Sequence, residues 1–273
     1  MSHGTTANPT VEETLTFVDT HCHLDDSSFA SDLDGVLGQS RNAGVTRWIN
    51  VGFNAERWPA SVDLARRYRG MSCMLGVHPA DARIWSDTVR RDLALALENH
   101  KPVAIGEIGL DFFRGETNVD TQLVAFNEQL DLAITLGIPA VIHMRSAEPL
   151  MLDTLNNRKS LPELLFHSYD GSATLTDWIL RAGAYIGVGG LATRSKSGTL
   201  QHEIRRVSLD RIVLETDSPY LAPNGFKHRR NTPESIPRIA SFLAGLFGID
   251  DATVARQTTL NAERLFERLP PAR

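Results

Sequence analysis

Two histidines two positions apart, His21 and His23 in the run F-V-D-T-H-C-H-L-D over residues 17–25, are the part of this sequence best equipped for chemistry. On a β-strand, alternate side chains share a face, so both imidazoles point the same way. Neutral imidazoles converging from one strand end are the beginning of a metal site. Asp19 lies on that face one pleat earlier, whereas Cys22 points to the opposite side. An isolated His-x-His pair is as readily chance as ligation, so the other titratable residues decide its meaning. His78, Glu107, His143, His167 and Asp217 each fall at or near the end of a further apolar run.

These runs are short, rich in β-branched residues, and span 17–24, 45–53, 72–79, 103–110, 139–145, 164–169, 184–190 and 212–219. Stretches of helical period separate them, at 32–43, 55–68, 87–100, 117–136, 147–156, 172–182 and 198–207, and two more follow at 233–246 and 250–268. In the clearest, Leu123, Phe126, Leu130, Ala133 and Ile134 recur at three- and four-residue steps before Gly137, a helix-ending glycine. Eight strands alternating with helices predict an α/β fold, a single (β/α)8 TIM barrel with extra C-terminal helices. An open doubly wound sheet is the other arrangement this order allows. No Pro- or Ser-rich linker divides the repeats, so residues 14–273 are expected to form one barrel domain. The polar, aperiodic tail over 1–13 reads as disordered.

In a barrel the C-terminal strand ends open onto one face, so the titratable residues would ring a single mouth. Five of the nine histidines stand at such ends, while His3, His100, His202 and His228 fall in the tail, helices or a loop. Four histidines and two carboxylates exceed the needs of one tetrahedral cation; a bridging carboxylate can hold two cations about 3.5–4 Å apart. The expected arrangement has Glu107 as the bridge, His21, His23 and Asp217 on one divalent metal, and His143 and His167 on the other. Such a pair lowers the pKa of bound water and neutralises charge on attacking and leaving oxygens, which suits attack at phosphorus or at a carbonyl. Magnesium, manganese and zinc all remain candidates for these ligands. Asp217 would also take the proton of the attacking water. Glu215, two residues earlier on the same face, would either orient that water or serve as a buried strut. His78 precedes Pro79, whose ring favours an extended backbone before it, and is expected to hold a substrate phosphate rather than a metal.

Composition narrows the field. With 273 residues and 42% hydrophobic content the chain can bury a large core. No apolar run approaches the roughly 18 residues of a membrane span, and the N-terminal sequence lacks the pattern of a signal peptide, so a cytoplasmic protein without membrane contact is expected. Cys22 and Cys73 cannot build a disulfide framework. A formal charge of −5 argues against a surface coated for non-specific duplex binding, so any nucleic-acid contact must be local.

As an ordered set, D-T-H-C-H-L-D (19–25), G-V-H-P (76–79), I-G-E-I-G-L-D (105–111), I-H-M-R (142–145), H-S-Y-D-G-S (167–172), Y-I-G-V-G-G (185–190), E-T-D-S-P (215–219) and R-N-T-P (230–233) resembles the TatD-type metal-dependent deoxyribonucleases. The resemblance spans almost the whole chain after the tail. It implies a barrel, divalent metals on the residues just named, and cleavage of DNA phosphodiesters. The chain departs from the family pattern after His167, where Ser168, Tyr169 and Asp170 replace a C-F-S-like run, altering the neighbouring surface. It departs again at Lys227 and His228, where a glycine is lost ahead of Arg230.

Arg145, two positions after His143, and the loop residues Arg114 and Arg230 are candidates for clamping substrate phosphates. Lys227, Arg229 and Arg230 beside Phe226 form a local basic patch suited to a single strand. One deep mouth admits a strand end more easily than an intact duplex, so the expected substrate is single-stranded DNA or DNA ends. The alternative is a small-molecule amidohydrolase or lactonase on the same binuclear barrel. Such enzymes often bridge their metals with a carboxylated lysine, and residues 103–110 contain none. A binding protein without catalysis would require the ligands to be idle.

Overall fold

The computed structural model describes residues 15–113, 118–228 and 230–271. Arg114, Arg229 and the 1–13 tail lie outside this set. Eight parallel strands form one sheet in sequence order: β1 (Phe17–Cys22), β2 (Val45–Gly52), β3 (Met71–Leu75), β4 (Ala104–Asp111), β5 (Ala140–Arg145), β6 (Leu164–Phe166), β7 (Tyr185–Val188) and β8 (Ile212–Leu214). Seven crossover helices follow the first seven strands: α1 (Leu33–Asn42), α2 (Trp58–Arg67), α3 (Asp87–His100), α4 (Val119–Leu136), α5 (Glu148–Asn156), α6 (Ala173–Ala182) and α7 (Gly198–Arg206). The barrel closes where β8 runs on beside β1. Cys22 bridges Ser218, His23 N–H donates to Ser218 O at 2.8 Å, and Asp217 N–H donates to His21 O at 2.9 Å. The open doubly wound alternative is thereby set aside, and the C-terminal pair α8 (Ile236–Phe247) and α9 (Asp251–Leu265) matches the extra helices expected.

The strand pattern explains the packing. Inward residues such as Val18, Ile49, Val51, Met74, Val141, Leu165 and Val213 fill the barrel, while the outward set meets helix residues such as Leu37, Leu93, Phe126 and Leu130. Burying each large side chain stabilises the fold by about 1.5–3 kcal/mol. On α4 the three- and four-residue rhythm holds, with Phe126, Leu130 and Ala133 fully buried and Gly137 ending the helix at φ 60°. The last helix closes the floor: Ala262, Leu265 and Phe266 join the barrel-interior cluster. Asn261 Nδ2 donates to Leu209 O and Ile212 O, both at 2.7 Å, and pins α9 beneath β8.

Several strands stop short of their sequence-based limits, always at the mouth. β6 ends at Phe166 rather than 169 and β8 at Leu214 rather than 219. Ser168 (φ 48°) and Asp217 (φ 55°) take left-handed backbones there. An L-residue rarely adopts this region, and it ends the ladder and turns the chain across the opening. Elsewhere the ladder breaks register between Asp19 and Cys22 and between Ile105 and Ile108. These breaks enclose His21 and Glu107, and such irregularities re-aim a side chain. Among the described residues no helix is long and apolar enough to cross a membrane.

Candidate metal centre

Glu107 is the hub. Its Oε1 lies 2.5 Å from His143 Nδ1 and 2.9 Å from His167 Nε2, and its Oε2 lies 3.5 Å from His21 Nε2. Across the seam, Asp217 Oδ1 stands 3.1 Å from His23 Nε2 and 3.8 Å from His21 Nε2. Four sets of potential ligand atoms converge among the described residues: His21–His23–Asp217 and Glu107–His143–His167 hold the expected ligands, and His21–His167–Glu215 and His78–Asp111–His143 overlap them. The structure brings together all six residues expected as metal ligands. The rings of His21 and His167 stack at 3.8 Å between centroids, which joins the two expected sets.

The electrostatics fit divalent cations. Burial disfavours the Glu107 carboxylate, yet the charges of His167, His143 and His78 hold its pKa well below the usual range. Burial likewise opposes charge on His143 and His167, but Glu107 with Asp111 or Glu215 outweighs it and raises both pKa values. Carboxylates that draw protons onto neighbouring imidazoles draw a metal ion to the same place. Both ring nitrogens of His21, Nδ1 of His23 and Nδ1 of His167 are buried with no hydrogen-bond partner. Such orphaned groups are costly unless a ligand satisfies them.

The surrounding contacts fix the rings. His143 Nε2 faces Asp111 Oδ2 at 3.2 Å and Nδ1 faces Glu107 Oε1 at 2.5 Å, so the ring donates to both carboxylates; with a cation in place of the Nδ1 proton, Asp111 would hold the Nε2–H tautomer. Gln122 of α4 clamps Asp111 in turn, its Oε1 accepting from Asp111 N–H at 2.9 Å and its Nε2 donating to Asp111 O at 3.1 Å. His78 Nδ1 accepts from Ala80 N–H at 3.0 Å and caps the 3₁₀ turn Pro79–Ile84. Burial pushes its pKa down to about 4, so at neutral pH the ring is uncharged and its proton sits on Nε2, 3.7 Å from Glu107 Oε1. His78, Asp111 and His143 also converge, with the His78 Nδ1 lone pair accepting from Ala80 N–H.

Glu215 is buried below the mouth. Its Oε1 accepts from Ser168 N–H at 2.5 Å and lies 3.5 Å from His167 Nδ1, while a Cβ on Gly187 would stand only 2.1 Å from Oε2. Glu215 does not line the mouth cavity. Asp19, pushed up to about 7 by burial, accepts from Thr216 N–H at 3.0 Å and Thr216 Oγ1–H at 2.6 Å and anchors the turn that carries Asp217. Asn231, in the R-N-T-P run, ties down the same turn by donating to Thr216 O and Tyr220 O.

Of the arginines expected at substrate, the described Arg145 and Arg230 do not line the mouth cavity. Arg145 is exposed, with its guanidinium 3.6 Å above the ring of Phe113. Arg230 is held by both carboxylate oxygens of Asp32, at 3.1 and 2.6 Å, and lies over Phe29. A long side chain two residues beyond a strand ligand is not bound to follow it inward, and a nearby carboxylate captures a loop arginine. Lys227 and His228 both approach Glu234, at 3.3 and 3.8 Å. Tyr169, thought to alter the substrate surface, is buried and its hydroxyl hydrogen-bonds Thr176 Oγ1. Among the described residues the guanidinium that lines the mouth is Arg57, set by Asp25 Oδ2 at 3.0 Å and lying over Phe53. Sequence alone offered no sign of it beyond its place just after a strand end. Phe53 and Tyr220 also line this cavity of about 470 Å³.

Comparison with known proteins identifies the family. The family model described as TatD related DNase matches residues 18–267. The 3'-5' ssDNA/RNA exonuclease TatD of Erwinia billingiae is 36% identical over 255 residues, which cover 91% of this chain and 97% of that protein. The Escherichia coli protein named uncharacterized metal-dependent hydrolase YjjV is 32% identical over 253 residues, covering 92% and 97% of the two chains. The crystal structure of YjjV superposes with a TM-score of 0.87, covering 93% of this chain and 99% of that one. An amidohydrolase structure from Saccharomyces cerevisiae, 18% identical with a TM-score of 0.82, shares the fold and covers 92% of this chain and all (100%) of that one. With these motifs, this barrel and a family match along nearly its whole length, the chain belongs to the TatD-related DNase family.

Proposed function

We propose that this protein is a divalent-metal-dependent hydrolase that cleaves DNA phosphodiester bonds, working on single strands or ends. The observation that carries this reading is the pair of adjacent ligand sets, one containing Glu107 and the other within 3.5 Å of it at His21 Nε2, at the bottom of a mouth whose rim offers Arg57, neutral His78 and the aromatic rings of Phe53 and Tyr220. Two bound cations would supply a nucleophilic hydroxide at neutral pH and offset charge on the phosphate. Glu107, His21, His23, Asp217, His143 and His167 are the residues that would hold them. Arg57 and the Nε2–H of His78 hold non-bridging phosphate oxygens, and Phe53 and Tyr220 present faces for unstacked bases. Asp217 takes the proton of the attacking water, while Asp111 and Glu215 keep His143 and His167 in position. The cavity lies in the range of about 300–1,000 Å³ that takes one small molecule, so it suits one nucleotide at a time rather than a duplex.

Metal-stripped protein given a labelled single-stranded DNA oligonucleotide with magnesium, manganese or zinc in turn tests this reading. Stepwise shortening that needs both metal and Glu107 is expected, with Glu107→Ala inactive. The names of the relatives make an RNA oligonucleotide the natural second substrate, and a labelled end reports the polarity. Cleavage of lactones or acylated amines in its place would favour the small-molecule hydrolase, a reading weakened by a carboxylate standing where a carboxylated lysine would bridge.

A further inference from the structure

Buried polar atoms without partners fall mainly in two places among the described residues. One is the mouth. The other is the opposite end of the barrel, where Thr46 Oγ1 and the Nε and Nη2 of Arg47 are orphaned. Arg47 is only 2% exposed and shares the inward face of β2 with Ile49 and Val51, just above α9. Its Nη1 is fully engaged, donating to Glu263 Oε1 at 2.8 Å and Pro270 O at 3.3 Å. What remains is the Nε/Nη2 edge, the side of a guanidinium that grips two oxygens of one oxyanion.

That side chain lines a cavity of about 460 Å³ together with Arg41, Thr46, Arg69, Gly70 and Pro270. Among the described residues no carboxylate lines it. Glu263 offsets one of the three guanidinium charges, which leaves room for a dianion. Arg41 is steadied over the ring of Trp48, 5.0 Å from its centroid. From these three guanidinium groups and the free edge of Arg47 we propose that the closed end of the barrel binds a phosphate group, either inorganic phosphate or the phosphate of a mononucleotide. The proposal stands on the floor residues alone and does not depend on the chemistry at the mouth.

Calorimetric titration of the metal-loaded protein with inorganic phosphate, and separately with deoxyadenosine 5'-monophosphate, provides the test. Wild type is compared with Arg47→Met and with Arg41→Ala/Arg69→Ala, the exposed double variant keeping the test open if Arg47→Met does not fold. The expected result is a saturable site weakened at least tenfold in the floor variants, with their cleavage of single-stranded DNA in phosphate-free buffer unchanged. Tighter binding of the nucleotide than of phosphate identifies a mononucleotide as the ligand, and equal binding identifies phosphate itself. Affinity unchanged in the double variant, or no saturation at ligand on the order of 10 mM, overturns the proposal.

Discussion

Substituting Gly187 by alanine on β7 should cost far more than one methyl group ordinarily does. A Cβ at this position would lie 2.1 Å from Glu215 Oε2 and 2.6 Å from its Cδ, whereas ordinary contact begins at 3.4 Å, so the carboxylate must retreat by about 1 Å. It has nowhere free to go, because Glu215 is buried and its Oε1 accepts from Ser168 N–H at 2.5 Å. Overpacking a filled interior costs about 1–3 kcal/mol, and losing a buried hydrogen bond to a charged group about 1.5–3 kcal/mol more. We therefore expect Gly187→Ala to lower unfolding stability by about 3–5 kcal/mol. The same shift would pull support from His167 and weaken metal binding. Urea denaturation of Gly187→Ala, Glu215→Ala and the double variant forms a cycle that isolates the clash. With Glu215 already truncated, the added methyl should cost less than about 1 kcal/mol. Equal destabilisation in both backgrounds, or a neutral Gly187→Ala, would refute the proposed jam between β7 and the Glu215 carboxylate.

Asp111→Ala should lower metal affinity by about 10–100-fold by freeing the His143 ring, and cobalt substitution with absorption spectroscopy reads the altered coordination directly. Asp111→Asn should restore much of it, since an amide oxygen still accepts from Nε2–H. For His78, the sign of the pH effect follows from its lowered pKa of about 4 against an ordinary 6.5. Below pH 6.5 the unfolded chain binds a proton that the folded protein refuses, so this group's stability contribution is full above 6.5 and is lost as pH falls toward 4. In metal-free protein, the difference in stability between wild type and His78→Gln should therefore change by on the order of 3 kcal/mol across that window, and a flat difference curve counts against it. Arg57→Met should weaken single-stranded DNA binding and flatten its salt dependence by about 0.7 in log–log slope. Arg230→Ala should leave that slope unchanged and cost at most about 1 kcal/mol of stability, the worth of its exposed pair with Asp32.

The barrel and its ring of histidines were legible in the sequence because both depend on local pattern. Alternation fixes which way His21 and His23 face, and eight repeats fix where strand ends gather. The ligands' own backbones were less legible. The left-handed turns at Ser168 and Asp217 end two strands early, and nothing in the apolar runs at 164–169 and 212–219 announces them. Arginines were the least legible. The reach of a guanidinium leaves its partner open until the carboxylates around it are known, as Asp32 shows for Arg230 and Asp25 for Arg57. The Gln122 clamp on Asp111 lies on a helix and reads as ordinary helix polarity until the fold brings the two together.

The junction between β1 and β8 gives the centre a mechanical meaning. Every other pair of neighbouring strands is laced by a ladder, but this one rests on a single bridge and a few bonds around His21, His23 and Asp217. A cation held by those three side chains is a rivet through the weakest line of the wall. Removing it should let the first and last strands part before any others, with faster amide hydrogen exchange along 17–23 and 212–218 ahead of the remaining sheet. On the proposed function, the residues that would hold the cation are the same ones that would keep the barrel shut.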